Sequence, residues 1–174
     1  SGSAHYETAA RAIAGMGYDV MLFDGRTMEG THGDGLVSAI REAQASPHAL
    51  PGKVALVGFS LGGGIVLFYG TQHPELSVGA VVWYPATVFI RNVPGFVERL
   101  AIPVVMFAGG VDQYRNGCCL AGKGKALAAA AQRAGKAFEL TVYPNADHDF
   151  VQGGSHYATS AYDYALVKTQ AALK

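Results

Sequence analysis

The sequence predicts an α/β fold, a three-layer sandwich in which helices flank a mostly parallel sheet of about five strands. Two observations lead to this prediction. Apolar runs alternate with helical patterns along the chain, and the runs are continuous, as in Val104–Phe107, which is typical of strands covered on both faces. Right-handed crossovers then place the helices on both sides of the sheet. The 174 residues suit one core, so a single domain over residues 1–174 is expected.

The elements can be assigned in order along the chain. An alanine-rich helical pattern opens it, Asp34 suits the N-cap of the second helix, and Gly135 suits the residue that follows a later one. Residues 85–100 are the least regular and are interpreted as a packed loop, or as part of a lid or acyl pocket. The predicted elements are helix 4–16, strand 20–23, helix 34–45, strand 53–59, helix 61–72, strand 78–84, strand 102–108, helix 120–134, strand 138–143 and helix 156–173.

The stretch Gly58-Phe59-Ser60-Leu61-Gly62 lies between an apolar strand and a helical pattern. Strand, Gly-x-Ser-x-Gly and helix in this order are the context of a nucleophile elbow, which exposes the serine hydroxyl. Small residues are expected at Gly58 and Gly62 because a side chain would crowd the turn. The backbone N–H of Leu61 and the helix N-terminus would face negative charge that develops beside Ser60. A Gly/Ser turn without a chemical role is the alternative, since the chain holds 23 glycines.

A serine hydroxyl needs a base, and the base needs an orienting acid. Asp112 follows the strand 102–108 and His148 follows the strand 138–143, so the chain presents Ser, Asp and His in the order expected after such an elbow. All three residues follow strands, and parallel strands end at one edge of a sheet, where open α/β folds bind ligands. His148 would accept the serine proton, and Asp112 would hold its imidazole in the useful tautomer.

Other residues compete for these two roles. Asp147 and Asp149 flank His148, but neighbours in sequence usually cannot reach the outer imidazole nitrogen while leaving the inner one free. Asp24 also ends a predicted strand, although with the glycine after it a turn is the simpler interpretation. His156 is the rival base, although it is expected at a helix start. The other histidines are expected in loops or on the surface: His5, His32, His48 and His73.

With these motifs the chain resembles the α/β-hydrolase superfamily and, within it, the dienelactone hydrolase-like group. The resemblance covers nearly the whole chain and implies an α/β-hydrolase-type sandwich. It also implies hydrolysis of an ester, thioester or lactone through an acyl-enzyme, without a cofactor. The segments that carry it are Gly17-Tyr18-Asp19-Val20 before Phe23-Asp24-Gly25, then residues 58–63, the strand from Pro103 to Ala108 that leads to Asp112, and Tyr143–Phe150.

Two departures from the group concern the substrate. The enzymes that give the group its name use cysteine where this chain has Ser60. They also carry arginines that hold the substrate carboxylate, one of them just after the catalytic histidine. Here His148 is followed by Asp149-Phe150-Val151-Gln152-Gly153-Gly154, without an arginine. A small neutral ester is therefore a more suitable substrate than a small anionic lactone. Tyr84, at a strand end, is expected either to line the substrate pocket or to pack in the core.

The third departure concerns the start of the chain. Members of the group begin with strands before the first helix, and one of them leads into a loop that donates the second oxyanion N–H. Here Ser1 and Gly2 are either the tail of that loop or a cloning remnant, and a helical pattern follows almost at once. We therefore expect a shortened hydrolase that lacks the usual N-terminal strands. The strands around Phe23 and Leu56 are then expected either to close up against each other or to leave their edges open, and open edges predict a homo-oligomer formed by edge pairing or swapping.

Composition excludes several other functions. Thirteen basic residues balance thirteen acidic ones, so no nucleic-acid partner and no anionic membrane partner is expected. No apolar run approaches the length needed to span a bilayer. No His or Cys pair has zinc-ligand spacing, so no metal is expected. Cys118 and Cys119 are interpreted as reduced packing residues rather than as a disulfide between neighbours.

Three functional hypotheses remain at the level of the sequence. The first is a serine hydrolase for small esters or lactones, with Ser60, Asp112 and His148 as its triad and Leu61 as one oxyanion donor. The second is a weakly active or inactive fragment that keeps the fold. The third is an acyltransferase that passes the same acyl group to an acceptor other than water. A cytoplasmic location is favoured, although an export signal could have been lost with the N-terminal part.

Overall fold

The computed structural model describes residues 6–150 and 158–173. Within these ranges four parallel strands form one sheet, and they lie side by side in chain order. Helices connect neighbouring strands, so the carboxyl ends of all four strands meet at one edge. The predicted α/β fold is thereby confirmed. The strands are β1 (Val54–Phe59), β2 (Ser77–Trp83), β3 (Val104–Gly109) and β4 (Phe138–Tyr143).

The helices begin and end close to the predicted positions. The helix after β1 starts one residue earlier than expected, at Ser60, and a separate 3-10 helix, Gly70–Gln72, follows it. The helices are α1 (Glu7–Ala14), α2 (Asp34–Gln44), α3 (Ser60–Phe68), α4 (Val93–Glu98), α6 (Ala121–Arg133) and α7 (Ala158–Leu173), with a further 3-10 helix at Gly25–Met28. The label α5 marks Tyr114–Gly117, a single turn whose inner residues have left-handed rather than helical backbone angles.

Both faces of the sheet are buried, as the continuous apolar runs predict. Along β2, Ala80 and Val82 point to one face, whereas Val81 and Trp83 point to the other, because side chains alternate along a strand. Ala165 of α7 packs on the second face. The helices of the first face contribute Ile40, Leu67, Phe96 and Leu127 to its core.

One predicted strand is absent, so the described sheet has four strands instead of about five. Residues 20–23 are not paired in a ladder, and Met21 and Leu22 are exposed. A strand requires a partner for its N–H and C=O groups, and in the described part of the chain β1 pairs only with β2. The outer edge of β1 therefore lacks a described neighbour. Self-association through such an edge stays a prediction.

The segment 85–100 contains the helix α4, which the sequence did not indicate. The side chain of Asn92 accepts a hydrogen bond from the N–H of Gly95 at 3.1 Å and so caps this helix. The helix buries Phe96 and Val97, and Thr87 and Ile90 before it are buried too, whereas Val88 and Phe89 are exposed. The interpretation as a packed segment therefore holds for both halves, and a role for the exposed pair in a lid or acyl pocket stays a prediction.

Candidate active site

Ser60 directly follows the last residue of β1 and is the first residue of α3, with a left-handed backbone angle φ of +49°. A non-glycine residue in this region is strained, and such strain occurs often at functional sites. The N–H of Ala86 donates to the carbonyl oxygen of Ser60 at 2.9 Å, which ties the turn to the loop after β2. The predicted strand–turn–helix arrangement around Ser60 is therefore present.

The two motif glycines differ in what they contribute to this turn. A Cβ on Gly58 would lie 2.7 Å from the Cα of Gly63 and 2.8 Å from the carbonyl oxygen of Gly62, both backbone atoms. A Cβ on Gly62 would meet no atom of the described residues within 4 Å. Crowding therefore requires glycine at position 58, as predicted, and the same prediction for position 62 is wrong. The reason is that Gly58 of β1 lies directly against Gly63 of α3, whereas the space beside Gly62 is open.

Ser60, His148 and Asp112 form a continuous chain of hydrogen bonds. The distance from Ser60 Oγ to His148 Nε2 is 2.9 Å, and that from His148 Nδ1 to Asp112 Oδ2 is 2.8 Å. A carboxylate can only accept, so the proton of the neutral imidazole lies on Nδ1, and Nε2 is left to accept the serine proton. The Asp112 side chain is fully buried and that of His148 is 10% exposed. The three predicted catalytic residues are therefore brought together in the order that base catalysis needs.

Two loops hold the acid and the base at a fixed distance from each other. The N–H of Gly110 donates to the carbonyl of Tyr143 at 2.8 Å, and the N–H of Val111 donates to that of Ala146 at 3.1 Å. A Cβ on Gly110 would lie 2.5 Å from the carbonyl oxygen of Pro144, so only glycine permits this approach. The loop after β3 is thus bound to the loop after β4, which carries His148.

The competing acidic residues have other partners. Asp147 accepts a hydrogen bond from the backbone N–H of His148 at 2.7 Å, and Asp149 accepts one from the Tyr84 hydroxyl at 3.4 Å. Asp24 caps the 3-10 helix that follows it, and its hydrogen bonds with Arg26 lower the pKa of its carboxyl to about 2. The carboxylate bonded to the imidazole is therefore that of Asp112.

The competing histidines lie elsewhere or outside the described residues. His32 and His48 are exposed, and His73 pairs with Glu75 at 2.8 Å. His156, the rival base, and His5 lie outside the described residues.

Two tyrosines contact the imidazole of His148. The ring of Tyr114 lies parallel to it, with 4.2 Å between ring centroids and 6° between ring planes. Tyr84 meets it edge-on at 4.8 Å. Tyr84 is only 2% exposed, so it packs behind the histidine, and its role in lining a substrate pocket stays a prediction. Tyr114 belongs to none of the sequence motifs, although its position two residues after Asp112 was an available signal.

Tyr6 is a further aromatic residue at this edge, and it too lies outside the sequence motifs. It stacks on Phe59, the residue before the nucleophile, with 4.9 Å between ring centroids. Burial, followed by the nearby Asp149 and Tyr114, raises the pKa of Tyr6 to about 12. Tyr6 therefore remains a neutral phenol beside the elbow at neutral pH.

The oxyanion site is only partly within the described residues. Leu61 lies in the first turn of α3, where backbone N–H groups have no partner within the helix. Its N–H is therefore placed as an elbow requires, and its role as donor stays a prediction. Ser1 and Gly2, the predicted source of a second donor, lie outside the described residues.

Cys118 and Cys119 form a disulfide, so the expectation of two reduced cysteines is wrong. Cys119 is fully buried, and its sulfur lies within 4.8 Å of ligand atoms of Asp112 and His148. These three atoms form the one group in the described part of the chain that resembles a metal site. It does not suit a cation, because the sulfur is oxidised and the other two atoms bond to each other.

Comparison with known proteins gives the same family as the sequence motifs. A model of the Dienelactone hydrolase family matches residues 7–174. A protein of Methylorubrum extorquens with the name "Putative carboxymethylenebutenolidase" is 29% identical over 121 residues, which is 66% of this chain and 40% of that protein. The chain thus spans about two fifths of the length of this curated relative.

Solved structures show the same fold. A dienelactone hydrolase-like promiscuous phosphotriesterase from metagenomic libraries matches with a TM-score of 0.65 and 21% identity, over 91% of this chain and 71% of the other. An esterase from Thermogutta terrifontis matches with a TM-score of 0.58 and 18% identity, over 81% of this chain and 61% of the other. In the described residues, every helix is too short or too polar to cross a membrane.

Proposed function

Because the chain belongs to the dienelactone hydrolase family, we propose that it hydrolyses small carboxylic esters or lactones through an acyl-enzyme on Ser60. The observation that carries the proposal is the continuous hydrogen-bond chain from Ser60 Oγ through His148 to the buried carboxylate of Asp112. A serine hydroxyl with no base is a weak nucleophile; here His148 is the base, and Asp112 is the group that orients it.

In the first half of the reaction Ser60 Oγ attacks the carbonyl carbon of the ester. Its proton passes to His148 Nε2, and Asp112 stabilises the imidazolium through the bond from Nδ1–H. The negative charge on the former carbonyl oxygen faces the N–H of Leu61 and the N-terminus of α3. The tetrahedral intermediate then collapses, and the leaving alkoxide takes the proton from Nε2. The products of this half are an alcohol and the acyl-enzyme.

In the second half water takes the place of the alcohol. His148 Nε2 removes a proton from the water as its oxygen attacks the acyl carbon, and the same proton returns to Ser60 Oγ when the acid leaves. The net reaction consumes one water and gives one acid and one alcohol. For a lactone both groups remain on one molecule. Leu61 thus acts in both halves through the same N–H.

The substrate class follows from the groups around the site. The N–H groups of Thr87 and Val88 both donate to the carbonyl of Cys118, at 2.8 and 3.1 Å, so the loops after β2 and β3 meet beside the triad. The exposed apolar residues of these loops suit a neutral acyl or alkyl group: Val88, Phe89, Val111 and Leu120. Arg115 is the cation that would favour an anionic substrate instead, because its guanidinium carbon lies 5.5 Å from the centroid of the Tyr114 ring beside the triad.

Intact mass after exposure to a fluorophosphonate probe tests the proposal. Wild type should gain one adduct, whereas Ser60→Ala and His148→Ala should gain none while they stay folded by circular dichroism. Hydrolysis of p-nitrophenyl acetate should fall by about 10⁴-fold or more in both variants. A folded wild type that neither labels nor hydrolyses would instead support the inactive fragment.

Two substrate comparisons refine the assignment. A neutral p-nitrophenyl butyrate should be preferred over the anionic p-nitrophenyl hemisuccinate, and the reverse preference would indicate that Arg115 binds a substrate carboxylate. Added alcohol should leave the rate of acid formation unchanged. If added alcohol instead changes the product from the acid to a new ester, the result would support the acyltransferase hypothesis.

A further inference from the structure

We propose that Tyr114 is a positioning residue, whose ring holds the imidazole of His148 in the plane that joins Ser60 to Asp112. The inference rests on the proposed function, because it gives Tyr114 a role in orienting the proposed catalytic base. The two rings lie almost parallel, at 6°, with 4.2 Å between their centroids. Aromatic pairs at this separation attract each other beyond the apolar area they bury. The phenol ring thus covers one face of the catalytic base.

The backbone of Tyr114 acts on the same group of atoms as its ring. Its N–H donates to Asp112 Oδ1 at 3.0 Å, whereas the other oxygen, Oδ2, accepts from His148 Nδ1 at 2.8 Å. One residue therefore fixes the acid with its main chain and the base with its side chain. A shift of Tyr114 would move both ends of the Asp112–His148 bond.

The conformation of the next residues shows that the placement of Tyr114 is costly. Arg115, Asn116 and Gly117 all have left-handed backbone angles, with φ of 43°, 58° and 83°. Two of these three are not glycine, and each such residue is strained. Strain of this kind persists only where surrounding contacts impose it. Here the N–H of Cys118 donates to the carbonyl of Tyr114 at 3.1 Å and closes the turn.

Exposure separates this role from ordinary core packing. Tyr114 is 43% exposed, whereas the His148 side chain beneath it is 10% exposed and that of Asp112 is fully buried. An exposed aromatic residue adds little to a hydrophobic core, so its removal should leave the fold intact. The same removal would open one face of the imidazole to water and release the ring to rotate. The expected loss is therefore in turnover rather than in stability.

The kinetic test uses Tyr114→Ala, Tyr114→Phe and the control Tyr164→Ala, a tyrosine on α7 that is 68% exposed. Tyr114→Ala should lower kcat for p-nitrophenyl acetate and the rate of fluorophosphonate labelling by about ten- to a hundredfold, with little change in KM. Tyr114→Phe keeps the ring and should restore most of the rate. Tyr164→Ala should match wild type.

Three results would overturn the inference: a wild-type rate in Tyr114→Ala, a rise in KM alone, or a Phe variant as slow as the Ala variant. The second would make Tyr114 a substrate contact, and the third would assign the role to its hydroxyl.

A measurement without turnover separates this inference from the proposed function. In a proton NMR spectrum, the carbon-bound protons of the His148 ring lie above the face of Tyr114 and experience its ring current. These resonances should move downfield in Tyr114→Ala and stay in place in Tyr114→Phe. Unmoved resonances in the Ala variant would refute the stacking even in an active enzyme. If the His148 resonances move in Tyr114→Ala but wild type does not react with the fluorophosphonate, the proposed function is refuted while the contact between the two rings is supported.

Discussion

Replacement of Gly58 by alanine is the sharpest structural test of the elbow. The added Cβ would lie 2.7 Å from Gly63 Cα, 2.8 Å from Gly62 O and 2.9 Å from Gly63 N, whereas ordinary carbon contacts lie at about 3.5–4.0 Å. All three atoms belong to the backbone, so no side-chain rotation can relieve the overlap. Overpacking costs about 1–3 kcal/mol, and we expect the upper end, about 3 kcal/mol, since β1 and α3 must separate.

This cost should be visible both in stability and in the chemistry. For a domain of this size about 3 kcal/mol lowers Tm by roughly 6–12 °C. Separation of β1 from α3 also moves Ser60 away from His148, to which it is bonded at 2.9 Å. A displacement on the order of 1 Å costs about a hundredfold in rate. Differential scanning calorimetry and the rate of fluorophosphonate labelling measure the two effects.

Gly62→Ala is the matched control for Gly58→Ala. Its Cβ would meet no atom of the described residues within 4 Å, and alanine is favoured over glycine in a helix by up to about 1 kcal/mol. Its Tm should therefore equal or exceed that of wild type. The reasoning is refuted if Gly58→Ala keeps the wild-type Tm and labelling rate, or if the two variants lose stability equally.

Three further predictions follow from the site and the core. In steady-state assays Asp112→Asn should lower kcat by about 10⁴-fold, because an amide can stabilise the wrong imidazole tautomer. The control Asp147→Asn removes the same charge but keeps an acceptor for the backbone N–H of His148, so its kcat should be nearly that of wild type. Equal losses in the two variants would contradict the assignment of Asp112 as the acid. Tyr143→Phe should leave the free energy of unfolding in urea unchanged or raise it by about 1–3 kcal/mol, because the buried Tyr143 hydroxyl has no partner among the described residues. Burial raises the pKa of this hydroxyl from 10.0 to about 12, so between pH 10 and 12 the unfolded chain loses a proton that the folded chain keeps. The free energy of unfolding should therefore fall over this pH range through Tyr143 in wild type but not in the Phe variant. Because Cys118 and Cys119 form a disulfide, iodoacetamide should modify neither of them in protein that is unfolded without reductant. It should modify both after treatment with dithiothreitol, and modification without reductant would show that the disulfide is absent.

The catalytic arrangement could be predicted from the sequence because each part of it is local. A serine between a strand and a helix, an aspartate after β3 and a histidine after β4 each depend on a few neighbouring residues. Parallel strands then bring these loops to one edge without any further information. For the same reason four of the five predicted strands are present.

The predictions that failed depend on packing and backbone conformation, which the local residue types alone do not show. Residues 20–23 have the composition of a strand, but a ladder also needs a neighbouring strand, and none is described beside them. Gly62 matches the motif as well as Gly58 does, yet only the packing of β1 against α3 shows which of the two is crowded.

The local pattern of apolar runs and turns was enough to predict the α/β fold, the elbow at Ser60 and the chain order of the acid and the base, and it already favoured Asp112 over Asp147 and Asp149. Only the folded chain shows that Asp112 reaches the imidazole, at 2.8 Å, and that Tyr114 covers the ring. The physical reason is that hydrogen bonds and ring contacts depend on distances of a few ångströms. Such distances between separate loops are set by the packing of the whole sheet.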